Sequence, residues 1–172
     1  MTGTAAYLAE ICRFYVLLVL VAACLGKALA PAELATSIGE ISSIRPRLAR
    51  AAAIGVIVAE GLIALLLGAG GDSARAGMAA ATSLFMVFAA AIAAVLIGGR
   101  AVRCNCFGAG GHLISAFDLL RNLVLIGACG FYLVQDDRAV AVDAVGFLLM
   151  LSVAAILFLV STGVGEIAAS IR

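Results

Sequence analysis

The stretch LARAAAIGVIVAEGLIALLLGAG, residues 48–70, decides the class of this chain. A bilayer core takes about 20 mostly apolar residues in a helix, and this run meets that length with only Arg50 near its start and Glu60 near its middle. Comparable runs occur at 7–29, 76–98, 114–134 and 140–163. The reading is an all-α membrane protein: a compact bundle of about five transmembrane helices in one domain covering residues 1–172. Abundant Gly and Ala in every span suits close helix–helix approach in lipid, where small residues permit van der Waals packing.

Composition supports the same reading. Of 172 residues, 65% are hydrophobic and 12% charged, with a mean hydropathy of +1.23, far from the roughly 25% charged residues of an ordinary soluble domain. The formal net charge of +1 gives no basic field of the kind that draws proteins to nucleic acid, so nucleic acid is excluded as a partner. Ala28-Leu29-Ala30 has the small-x-small form of a secretory cleavage site. No basic residue precedes the apolar run, however, and Pro31 would follow the cut, so the first span is expected to be retained.

Between the first two spans, Leu34, Ile38, Ile41 and Ile44 fall at mixed three- and four-residue spacing, which suits a short surface helix. Segments 71–75 and 135–139 read as short turns. Counting Lys and Arg at the two faces places Lys27, Arg45, Arg47, Arg50, Arg100, Arg103, Arg121 and Arg172 on one side. Arg13, Arg75 and Arg138 fall on the other. The bias puts the loop around residue 104 in the cytoplasm of a multi-pass protein of the bacterial inner membrane.

That loop holds the one distinctive chemical feature, Cys104-Asn105-Cys106-Phe107-Gly108. Of five cysteines, Cys104 and Cys106 alone lie in a turn-like, accessible segment, followed by Gly108, Gly110 and Gly111. An i, i+2 pair reaches disulfide distance only in a bent conformation, so the bridge is strained and easily reduced. Arg103, with Lys27 and Arg121 on the same face, favours thiolate over thiol. Cys24, next to Gly26 and Lys27, is on that face too and is a candidate resolving thiol, whereas Cys12 and Cys129 read as small core residues. Alternatives for Cys104 and Cys106 are incidental loop thiols, or a soft-metal site for copper or mercury, which His112 would extend.

Ser115-Ala116-Phe117-Asp118 has the form of a capping box, with Arg121 placed for an i, i+3 pair with Asp118. Such a pair serves either as an interfacial ion pair or as a cation aimed at the loop. Glu60, costly to bury ionised, is assigned Arg13 as its partner by depth. That pairing serves helix register, proton transfer or quinone binding.

The order Arg13-Phe14, Gly26-Lys27, Glu60-Gly61, Cys104-Asn105-Cys106-Phe107-Gly108 and Arg121-Asn122-Leu123 resembles the methylamine utilisation MauE family, related to DoxX-like membrane proteins, over roughly residues 10–134. The resemblance implies a four-helix DoxX-like core plus a C-terminal helix. It also implies redox work alongside thioredoxin-like proteins, in disulfide formation or in maturation of a disulfide-containing enzyme. Asn105 departs from the family's common Gly. On this reading Cys104, Cys106 and Cys24 are the catalytic thiols, and Lys27, Arg121, Arg103, Glu60 and Arg13 support them. Electrons pass to or from a thioredoxin-like protein or a membrane-complex subunit, with a quinone between the helices as the candidate cofactor. The activity expected is that of a thiol–disulfide oxidoreductase; a soft-metal transporter and a structural subunit are the alternatives.

Overall fold

The computed structural model describes residues 2–99, 102–104, 112–135 and 144–170, with only the backbone at 2–3, 103–104, 112, 144–145, 147 and 161–170. Among these residues six helices follow in order: α1 Thr2–Leu29, α2 Pro31–Ser42, α3 Pro46–Ala69, α4 Gly71–Ile97, α5 Ala116–Leu133 and α6 Ala144–Ser170. Between α4 and α5 a minimal hairpin pairs β1, Arg103–Cys104, with β2, His112–Leu113, antiparallel. The breaks are local chemistry. Pro31 and Pro46 occupy the first turns of α2 and α3, where the missing N–H has no intrahelical acceptor to lose. Ser43 closes α2 in a left-handed conformation, donating its N–H to the Gly39 carbonyl. The expected turn at 71–75 is tighter than read: Gly70 and Gly71, at φ +76° and +54°, reverse the chain on their own, a conformation that side chains with a Cβ disfavour.

Four helices among the described residues, α1, α3, α4 and α5, are long and apolar enough to cross a membrane. The 28 residues of α1 run about 42 Å at 1.5 Å per residue, beyond the roughly 30 Å of a bilayer core. These four close a ring in which α1 packs on α3, α3 on α4, α4 on α5 and α5 on α1, while α2 lies on α3 and α6 on α1. This is the all-α bundle expected, with the short α2 where a surface helix was read.

Burial separates two apolar environments. Val16, Leu20, Leu67, Met78 and Leu125 fill the ring's centre and are shut off from outside. Leu25, Leu65, Val87 and Leu123 are exposed on the outer surface. Hydrocarbon on both faces of a helix is the pattern of a chain solvated by lipid, where the exposed side chains meet acyl chains. At Gly77 α4 comes close to α3: a Cβ there would stand 3.1 Å from Leu66 Cβ and 3.2 Å from the Leu67 backbone nitrogen.

Candidate functional site

The apolar centre is broken at one end by buried polar groups. Lys27 is 3% exposed and Glu60 1% exposed, and the Lys27 Nζ donates to Glu60 Oε1 at 2.5 Å. The contact follows from helix geometry. Side chains lean toward their own helix N-terminus, so Lys27, in the last turn of α1, reaches back into the bundle. Glu60 on the antiparallel α3 leans toward the end where α3 begins, which is the end where α1 finishes. The two meet between their backbones, and the Phe88 ring of α4 lies 5.4 Å from the ammonium, a cation–π contact. Glu60 Oε2 is buried with no hydrogen-bond partner among the described residues.

The expected Arg13–Glu60 pair does not form. Arg13 bonds Glu10 Oε2 at 2.7 Å and donates to the Leu67 carbonyl at 2.5 Å. Leu67 lies seven residues beyond Glu60, about 10 Å farther along α3. Lys27 takes the contact because α1 is long and its back-leaning side chain reaches the depth of Glu60. Arg13 instead satisfies a carbonyl in the last turn of α3, one of those without an intrahelical partner. Arg75 acts alike at the end of α5, donating to the carbonyls of Leu133 at 3.0 Å and Gln135 at 3.3 Å.

From α5 a second pair faces the first. Ser115 caps the helix, and its backbone N–H and hydroxyl reach Asp118 Oδ2 at 2.9 and 3.0 Å, as the spacing predicted. Asp118 Oδ1 lies 3.6 Å from Arg121 Nη2, with both side chains largely buried. Arg121 is near enough to Lys27 to act on it electrostatically. Two cations and two carboxylates thus form a neutral cluster, the arrangement that makes buried charge tolerable in lipid. Two further residues touch it that the sequence reading assigned no role. Asn122, 5% exposed, donates to the Asp118 carbonyl at 2.9 Å, and Phe88 is one of many apolar residues in α4, so no local signal singles it out.

Cys24 stands one turn before Lys27, half-buried, with its Sγ 3.5 Å from the Ile57 carbonyl. Cys129 is fully buried, as expected of a core residue, while Cys12 is only half-buried. The backbone of Cys104 pairs with His112, and Ile114 donates to the Val102 carbonyl at 3.0 Å. The hairpin is therefore anchored directly ahead of the Ser115 cap. β1 also packs against α2 and β2 against α6. Cys106, Asn105, Phe107, Gly108, Gly110, Gly111, Arg100 and Arg138, and the side chains of Arg103, Cys104 and His112, lie outside the described residues. Among the described residues no group of three or more His, Cys, Asp or Glu is placed to hold a metal ion.

The fold and the cluster define a multi-pass helical membrane protein whose bundle carries paired charges beneath a cysteine hairpin. A family model described as methylamine utilisation protein MauE matches residues 5–135, and the chain belongs to that family. The matched region takes in α1 to α5, the whole ring and the hairpin. No curated protein and no solved structure gave a match.

Proposed function

We infer that this protein carries out thiol–disulfide exchange, or relays electrons, through Cys104 and Cys106, in support of disulfide formation or maturation of a partner protein. The observation that supports this reading most is the placement of the Cys104 backbone. The hairpin hangs at the mouth of the ring, directly ahead of the α5 turn that holds Asp118 and Arg121, and the Lys27 end of α1 is the same end. The thiolate is the nucleophile in exchange, and a cation such as Arg103, next to Cys104 in the sequence, favours it over the thiol. A thioredoxin-like protein is the partner this chemistry suits: the Cys104 thiolate attacks its disulfide and displaces one partner sulfur, the Cys106 thiolate displaces the other, and a Cys104–Cys106 disulfide is left with a partner dithiol that takes up the two protons the loop thiols gave up; the reverse exchange oxidises the partner.

The arginines bear on sidedness. Arg13 and Arg75 bond helix-end carbonyls and Lys27 and Arg121 are paired inside the bundle, so none of the four reports topology. What remains is Arg45, Arg47, Arg50, Arg100, Arg103 and Arg172 against Arg138. The bias is sharper than the full count and favours a cytoplasmic hairpin. A quinone is the lipid-soluble carrier such a relay would draw on. The open groove between α1 and α3 suits an apolar tail, but its lining side chains offer no donor for a quinone carbonyl beyond the Cys24 thiol, and no step is assigned to a quinone.

The test is differential alkylation. Cys104 and Cys106 are expected to react with a maleimide only after reduction, with the oxidised form protected and the protection lost in Cys106→Ser. Equal labelling of oxidised and reduced protein refutes the exchange reading.

A further inference from the structure

The outer face of α3 changes character along its length. Its deeper half borders an open groove of about 840 Å³ shared with α1, lined by Val21 and Leu25 of α1 and by Val58, Gly61, Leu62 and Leu65 of α3. Its first turns carry Arg47 and Arg50, both exposed and neither bonded to a side chain among the described residues. The two features share one face. At 3.6 residues per turn, Arg47 stands about three turns before Val58 and about five before Leu65, and Arg50 stands about three before Gly61 and about five before Gly68. Ala51 and Ile54, both exposed, continue the strip between the arginines and the groove. α2 covers a different side of α3, seating Leu34 and Ala35 against Ala53, and leaves this strip exposed.

We propose that this strip binds one anionic phospholipid. Arg47 and Arg50 hold its phosphodiester, and one acyl chain runs down over Ala51 and Ile54 to end in the upper part of the α1–α3 groove, between Leu25 and Leu62. The chemistry and the lengths agree. A guanidinium presents paired N–H donors that match phosphate oxygens, and both side chains lean toward the start of α3, which lifts them into the headgroup layer. Half of a bilayer with its headgroups is about 20 Å, the span from a phosphate to the ends of its own chains. Arg50 to Leu62 is twelve residues, about 18 Å at 1.5 Å per residue. The lower part of the groove, toward Ala69, lies beyond that reach. A zwitterionic lipid brings its own cation to the phosphate and gains less from the arginines. Arg45, exposed at the N-cap of α3, stands two residues before Arg47, more than half a turn round the axis, and takes no part. The site uses no thiol, so it stands or falls separately from the exchange reading.

The test is native mass spectrometry of the full chain in detergent micelles, titrated with phosphatidylglycerol or with phosphatidylcholine. The wild type is expected to hold one phosphatidylglycerol in preference to phosphatidylcholine. R47Q/R50Q lowers the phosphatidylglycerol affinity about 25-fold, roughly fivefold for each arginine, and leaves phosphatidylcholine unchanged. R45Q, which removes the same charge off the strip, leaves both affinities nearly unchanged. L62W, which fills the upper groove from an exposed position, lowers the phosphatidylglycerol affinity with both arginines in place. All the substituted side chains are exposed, and far-ultraviolet circular dichroism checks that the variants keep the helices. Equal binding of the two lipids overturns the proposal. So does an equal loss in R45Q, which means diffuse surface charge alone. Unchanged affinity in L62W, or displacement of the lipid by soluble glycerophosphoglycerol, means capture of the headgroup without a chain seat and overturns it too. A neutral quinone found in place of the phospholipid, and retained in R47Q/R50Q, gives the groove to a different occupant and likewise refutes the assignment.

Discussion

Replacing Lys27 by Met leaves Glu60, 1% exposed, without the ammonium that neutralises it and with neither oxygen paired. Nothing described nearby substitutes for it: Arg121 is committed to Asp118, and Arg13 sits about 10 Å farther along α3 on the Leu67 carbonyl. Removing one member of a buried pair costs about 3–5 kcal/mol, or about two to three and a half factors of ten in the folded-to-unfolded ratio. Met keeps the apolar stem and its contacts, so little of this loss is packing. Lys27→Met/Glu60→Met removes both charges at once and is expected to lie within about 1 kcal/mol of the wild type or above it, since apolar replacements of buried pairs are often neutral or stabilising. The measurement is reversible unfolding in detergent micelles titrated with dodecyl sulfate and followed by far-ultraviolet circular dichroism. The reasoning fails if Lys27→Met costs under about 1 kcal/mol, or if the double variant is no more stable than the single one.

The other expectations are narrower. Arg75→Ala removes the bonds to the Leu133 and Gln135 carbonyls; it is expected to cost about 1–3 kcal/mol in the same unfolding assay and to leave alkylation of the loop thiols unchanged. Gly77→Ala forces a Cβ to within 3.1 Å of Leu66 Cβ and 3.2 Å of the Leu67 nitrogen. It should destabilise by about 1–3 kcal/mol as α3 and α4 move apart, whereas Gly61→Ala, whose Cβ meets Cys24 Sγ at 3.6 Å, should cost well under that. For sidedness, a membrane-impermeant thiol reagent applied to intact cells is expected to spare Cys104 and to label it once the membrane is opened; labelling in intact cells places the hairpin outside.

Much of the architecture follows from one-dimensional pattern. A run of about 20 apolar residues has few stable alternatives to a spanning helix, so span positions carry over to the structure within a few residues for α1, α3, α4 and α5. The cap at Ser115 is legible as well, because capping is settled within a single turn. Partner choice among charges is not. Arg13 and Lys27 are both cations of α1, and the sequence offers no rule for which one meets Glu60. The α1–α3 register, the N-terminal lean of helical side chains and the long reach of Lys27 decide it together.

The sequence by itself determined that this protein spans a membrane, where α1, α3, α4 and α5 lie to within a few residues, and that Cys104 and Cys106 fall between two apolar runs of the sequence. These depend on composition and on contacts within a few residues. Tertiary structure alone decided that α1 packs against α3, α5 and α6, that Lys27 rather than Arg13 neutralises Glu60, and that Cys24 lines the groove between α1 and α3. In lipid, apolar faces are nearly interchangeable, so packing of small residues and pairing of the few buried charges select among the arrangements. Those selections are made between residues more than thirty positions apart, such as Lys27 and Glu60, where no local pattern reaches.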